Sequence, residues 1–292
     1  MEVIHLNLLR LNSIIMKKIL LPVDFSETSD NAFVYALEMA KLFKAELVLL
    51  HTFELPIVDS QSLPLNYAMI YETIELTNFE HFKENMPKLH AIADKRKLGH
   101  IAMRHILMDG DLIYNIKKVV KQENIDFVVM GTKGAEGWLD SFLGTNTSAV
   151  ISDVSVPVLS VPIDAKFSKV ENIAFTTRFR KKDIEALVKV LVIAKKLHAK
   201  VKCLHVKTSD SDVNTDTINR WKAHFDDDDN LQFFIIPSDE VPETIEDFLV
   251  TQDIDLLAML TYKRNFFVEL FTSTTTQKLS YHLRTPILAF HE

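Results

Sequence analysis

Two tandem doubly wound, Rossmann-like α/β domains with parallel sheets, packed as an intramolecular pseudo-dimer, are what this sequence predicts. Short runs of Val, Ile and Leu alternate with stretches of helical period, the alternation occurs twice at fixed offsets, and each copy closes on an apolar strand that needs cover. A chain of 292 residues, 47% hydrophobic and 25% charged, has room for about two such domains.

The runs KILLPV from Lys18, LVLLH from Leu47 and FVVM from Phe127 are apolar throughout, the pattern of central strands covered on both sides. Residues 31–43, 112–123 and 184–197 instead space their apolar side chains as helices do. Strand, helix, strand, helix implies parallel strands with crossover helices on both faces.

The second copy is diverged but in register. KKILLPVDFS from Lys17 has a counterpart in ENIAFTTRFR from Glu171, and AELVLLHTF from Ala45 has one in AKVKCLHVK from Ala199; both are offset by 154 positions, Ile19 to Ile173 and His51 to His205. NIDFVVMGTKG from Asn124 matches DIDLLAMLTYKR from Asp253, and SVPVLSVP from Ser155 matches RTPILAFH from Arg284, at an offset of 129, Asp126 to Asp255 and Pro157 to Pro286. A 25-residue surplus in the first copy, within residues 54–99, reconciles the two offsets. That surplus holds Pro56, Pro64 and an aromatic-rich helical stretch over residues 67–82, which suits a flap over a cleft, an outer contact surface or plain packing. The domains run over residues 16–163 and 170–292, joined by a polar linker at 164–169. Residues 1–15 are apolar but lack a basic start and a small-residue cleavage site, so Met16 reads as the true initiation site and 1–15 as an upstream extension.

A net charge of -7 and a pI near 5.9 offer no long-range attraction for phosphate backbones or anionic lipid, so neither nucleic acid nor membrane is expected as a partner. One cysteine, Cys203, leaves no disulfide framework or Cys-rich zinc site, as in a reducing compartment, and the cytoplasm is the expected location.

The chemistry-bearing signal is glycine. Of six glycines, Gly131, Gly134, Gly137 and Gly144 cluster after the FVVM strand, and the second copy has none. A glycine loop at the carboxyl end of a parallel strand lies where open α/β sheets bind ligands. Gly144-Thr145-Asn146-Thr147 then reads as a helix start whose amides and positive dipole end favour an anion. The alternative is that these glycines only make turns, with Thr145 or Asn146 as an N-cap.

Gly131, Gly134, Gly144 and Thr145, as G-x-x-G, nine residues, then G-T, resemble the signature of nucleotide-binding universal stress proteins, as do KKILLPVDFSETS, LLHTF, DFVVMGTKG and SVPVLSVP. The resemblance spans nearly all of residues 16–163 and reaches the second half through the repeat. It implies ATP or a related adenine nucleotide, with Mg possible. Asp24 would face the ribose or a phosphate-bound metal, Pro22 and Val23 would line its approach, and Thr52 would sit near the adenine. Met130, Gly131, Lys133, Gly134, Gly144, Thr145, Asn146 and Thr147 would surround ribose and phosphates. The rival role for Asp24 is a helix cap with Ser26. The resemblance also implies pairing through the terminal strands, and a regulatory binding module, with a slow ATPase, a self-phosphorylating enzyme or a nucleotide-free scaffold as alternatives. No catalytic residue is assigned.

The second copy reads as degenerate: Gly131 becomes Leu260, Gly134 Lys263, Gly144 Ser273 and Asp24 Arg178. His51 and His205 recur at one strand position and read as structural, the aspartates at 226–229 as a solvated loop, and Cys203 as inert core.

Overall fold

The computed structural model describes residues 16–55, 67–132, 145–211, 213–225, 228–261 and 284–291. The first half runs β1 (Lys18–Pro22), α1 (Glu27–Phe43), β2 (Glu46–Phe53), α2 (Tyr67–Lys95), β3 (Met103–Asp109), α3 (Leu112–Gln122), β4 (Phe127–Thr132), α4 (Thr145–Asp153) and β5 (Val158–Pro162). The second runs β6 (Asn172–Thr176), α5 (Lys181–Leu197), β7 (Lys200–Lys207), α6 (Thr215–His224), β8 (Leu231–Pro237), α7 (Val241–Thr251), β9 (Leu256–Thr261) and β10 (Ile287–His291).

All ten strands form one sheet, ordered β3-β2-β1-β4-β5-β10-β9-β6-β7-β8. Each half is parallel, and the two meet where β5 and β10 pair antiparallel, Leu159 opposite Leu288 and Val158 opposite Ala289. The terminal strands thus cover one another's edge within one chain, as the apolar edges require. Because successive strand residues face opposite sides, Ile19 and Leu21 pack into one core with α1, α2, α5 and α6 while Leu20 packs into the other with α3, α4 and α7. That double cover is why these strands carry no polar alternation.

Backbone conformation recurs at the offsets read from the sequence. Left-handed φ values recur in matched pairs: Phe25 at 62° and Phe179 at 56°, Lys44 and His198 at 56°, Asn124 at 52° and Asp253 at 48°. Such values are uncommon outside glycine, so their coincidence at the repeat offsets reports one chain path used twice. The amino ends of β1 and β6 are pinned alike: Asp126 Oδ2 accepts from the amides of Lys17 and Lys18 at 2.7 and 3.0 Å, and Asp255 Oδ2 from those of Glu171 and Asn172 at 2.8 and 2.9 Å.

Four expectations change. The helix expected over 67–82 continues through Pro87 to Lys95, so the surplus of the first half lengthens α2 to 29 residues against 10 in α6. Strands β3 and β8, not singled out in the sequence, are the sheet edges and bury only partly, which dilutes their apolar signal. Gly131 lies within β4 rather than after it. The connection between β5 and β6 is more than a polar spacer, since Ala165 is buried and Phe167 packs edge-on against Tyr35 at 5.0 Å. Residues 1–15 and 57–65 lie outside the described residues.

Candidate functional site

From the carboxyl ends of the adjacent strands β1 and β4, the chain turns to opposite faces of the sheet, to α1 on one and α4 on the other. A crevice opens at such a switch point. Leaving β1, the chain takes its left-handed step at Phe25, whose ring packs against His51 at 5.2 Å and Phe82 at 5.8 Å. Packing on that scale offsets the roughly 1–3 kcal/mol that a strained residue costs. His51 fixes the turn through Nδ1, 2.7 Å from the Val23 carbonyl, and His205 holds Thr177 the same way at 2.9 Å, so both histidines are structural.

Ser26 caps α1, its Oγ accepting from the Ser29 amide at 3.2 Å. Asp24 Oδ1 accepts from the Ser26 amide at 3.0 Å and the Ser26 hydroxyl at 2.6 Å. Both readings of Asp24 therefore meet in one side chain: Oδ1 supports the cap, and the residue also lines the crevice.

The crevice measures about 370 Å³, inside the roughly 300–1,000 Å³ span of small-molecule sites. Pro22, Val23, Asp24, Thr52, Met130, Gly131, Asn146 and Thr147 all line it, brought together from β1, β2, β4 and α4. Lys133, Gly134 and Gly144 lie outside the described residues, and Thr145 begins α4 beside Asn146. The sequence reading missed Thr28, Ser29, Leu112 and Thr132. Two of these stand out: Ser29 Oγ and Thr132 Oγ1 are buried without a hydrogen-bond partner among the described residues. A buried hydroxyl left unpaired costs about 1–3 kcal/mol, and both lie beside the crevice. The period-3.6 pattern that named α1 carried no hint of this, because Thr28 and Ser29 read as ordinary first-turn residues.

Gly131 earns its place by space and not by φ, which is not left-handed there. A Cβ would stand 2.6 Å from the Thr28 carbonyl oxygen and 2.8 Å from Thr28 Cγ2. The absence of a side chain lets β4 press against the first turn of α1, forming the crevice floor.

The matched positions of the second half differ. Leu260 stands at the Gly131 position and is buried, while Thr261, matching Thr132, donates to the Phe290 carbonyl at 3.0 Å. Asp183, matching Ser29, is fully buried and accepts from Thr177 Oγ1 and the Arg178 amide, each at 2.8 Å, and from the Arg180 amide at 3.2 Å. Burial pushes its carboxyl above the usual range, opposed by the Thr177 hydrogen bond and those amides. Where the first half has the Ser29 hydroxyl, the second has a carboxylate that closes the turn through Oδ2, with Oδ1 unpartnered among the described residues.

Fold and crevice define a class: doubly wound α/β halves in one sheet, with a switch-point crevice in the first. The universal stress protein family model matches residues 16–162, half of the chain, and the chain belongs to that family. The universal stress protein MJ0577 of Methanocaldococcus jannaschii is 30% identical over 158 residues, 51% of this chain and 96% of its own length. YxiE of Bacillus subtilis is 28% identical over 145 residues, 49% of this chain and 97% of its own. Both halves together resemble a universal stress protein structure from Archaeoglobus fulgidus, with a TM-score of 0.70 at 18% identity, covering 94% of this chain and 98% of that one; this likeness concerns fold alone.

Proposed function

We propose that the first-half crevice binds ATP or a related adenine nucleotide, one per chain, and that the chain serves as a stress-responsive binding module whose second half contributes fold and pairing surface. The observation that carries this reading is the crevice of about 370 Å³ at the carboxyl ends of β1 and β4, where Asp24, Thr52, Gly131, Asn146 and Thr147 come together.

Two further features favour an anion. The amino ends of α1 and α4 both border the crevice, and each carries partial positive charge. Asp24 has one oxygen engaged by Ser26, which leaves the other for a ribose hydroxyl or for Mg brought in with phosphate. Lys133, Gly134, Gly144 and Thr145 complete the phosphate side on the family resemblance. The division into a nucleotide domain at 16–163 and a degenerate one at 170–292, and a cytoplasmic location, belong to the same reading.

Calorimetric titration with ATP and magnesium tests it. A stoichiometry near one is expected, abolished by Gly131→Leu with Gly144→Val and unaffected by Arg178→Ala. Two sites of similar affinity, or binding that fails only without Arg178, would overturn it. Incubation with labelled ATP distinguishes a binder from a hydrolase or self-phosphorylating enzyme.

A further inference from the structure

A second cavity, of about 1020 Å³, lies at the seam between the halves and shares no lining residue with the nucleotide crevice. Its floor is the apolar face of four strands, with Phe127 from β4, Leu159 from β5, Leu288 from β10 and Leu256 from β9. Leu42 at the end of α1 and Leu197 at the end of α5 also line it. The connection between the halves roofs it through Phe167, held edge-on to Tyr35 at 5.0 Å and lying 5.3 Å below the Arg96 guanidinium.

Its polar lining is specific. Three cations, Lys41, Lys166 and Arg284, balance three anions, Glu38, Asp164 and Asp255, and Glu38 is already paired with Arg96 at 3.0 Å and Lys41 at 3.6 Å. The Tyr35 phenol, in a side chain 7% exposed, makes no hydrogen bond among the described residues. Burial, reinforced by the charge of Asp255, pushes its pKa up to about 12, so it stays a donor throughout the neutral range. Asp255 spends Oδ2 on the Glu171 and Asn172 amides, and Oδ1 has no hydrogen bond among the described residues. One donor from the first half and one acceptor from the second thus border an apolar chamber without net charge. A hydroxyl, which both accepts and donates, satisfies both; a carboxylate would face Asp255 and an ammonium would face the three cations.

We propose that the seam cavity is a second ligand site, for a neutral amphiphile that lays an alkyl or aromatic body against the partly buried Leu42, Ile163, Phe167, Val170 and Leu197 and sets a hydroxyl between Tyr35 and Asp255. The body gains from apolar burial, and the head spans the two halves, so occupancy ties one to the other.

The probes are 1-decanol, decanoate and decylamine, titrated into the full chain with binding followed by ligand-observed NMR. Decanol is expected to bind saturably, one per chain, and more tightly than either charged analogue. Tyr35→Phe removes the hydroxyl and keeps the ring, and should weaken decanol by roughly fivefold to tenfold, the value of one net hydrogen bond. Leu42→Trp, at a half-buried wall position, should fill the cavity and abolish decanol binding in a variant whose circular dichroism is unchanged. ATP titration of both variants should match the unmodified chain, so failure of the nucleotide reading and failure of this one are separable. Absence of saturable decanol binding, equal affinity in Tyr35→Phe, binding that survives Leu42→Trp, or tighter binding of decanoate or decylamine would each overturn the proposal.

Discussion

Replacing Gly131 by alanine tests the argument that the crevice exists because β4 touches α1 without a side chain between them. The added Cβ would meet the Thr28 carbonyl oxygen at 2.6 Å, Cγ2 at 2.8 Å and the carbonyl carbon at 3.0 Å. The shortest of these is roughly 1 Å inside the 3.5–4.0 Å optimum for non-bonded contact. Two of the three atoms are backbone in the first turn of α1, so rotation of the Thr28 side chain cannot relieve them. Overpacking of this kind costs about 1–3 kcal/mol, offset by about 0.4–1 kcal/mol from the stiffer unfolded chain, because the φ at this position suits alanine. A net loss of about 1–2 kcal/mol is expected in urea unfolding. Relief must come from α1 retreating, which carries Ser26 and Ser29 away from β4, so ATP affinity should fall by about tenfold. Thr28→Ser combined with Gly131→Ala removes the Cγ2 contact alone and should restore only part of the stability. Stability within about 0.5 kcal/mol of the unmodified chain together with unchanged ATP affinity would refute the reasoning.

Burial first, and the neighbouring His90 second, lower the pKa of His105 in the folded chain. The unfolded chain therefore binds its proton more readily, and stability should be fully present above about pH 6.5 and fall as pH drops below it; His105→Gln should flatten that part of the curve, and an identical slope would count against the assignment. Asp183→Ala leaves the Thr177 hydroxyl and the Arg178 and Arg180 amides without their acceptor. A loss of about 2–3 kcal/mol in equilibrium unfolding is expected, with no change in ATP stoichiometry. Cys203 is fully buried and burial pushes its thiol well above the usual range. A thiol reagent should therefore react at the rate of unfolding, and rapid labelling of native protein would show the β7 core to be open.

What was legible in the sequence is what depends on local composition and on repetition. Apolar runs without alternation named β1, β2 and β4, because strands covered on both faces must be apolar at every position. Matching the two copies located the paired ends β5 and β10. Where one face of a strand is only partly covered the signal fades, and β3 and β8 went unnamed. The chemistry of the crevice was legible only in outline. Glycine at 131 reads as a loop residue, yet its reason is a contact with Thr28, which is more than one hundred positions away and can be known only from how α1 packs. The same holds for Ser29 and Thr132: a hydroxyl is ordinary in sequence, and only the fold decides that these two are buried without a partner among the described residues. Tyr35 and Asp255 come from different halves, and only the antiparallel join of β5 with β10 sets them at one cavity. Sequence fixes which surfaces must be hidden, through the free energy of apolar burial; the tertiary structure decides which polar atoms are left facing a space, because that depends on distances between segments that no local pattern encodes.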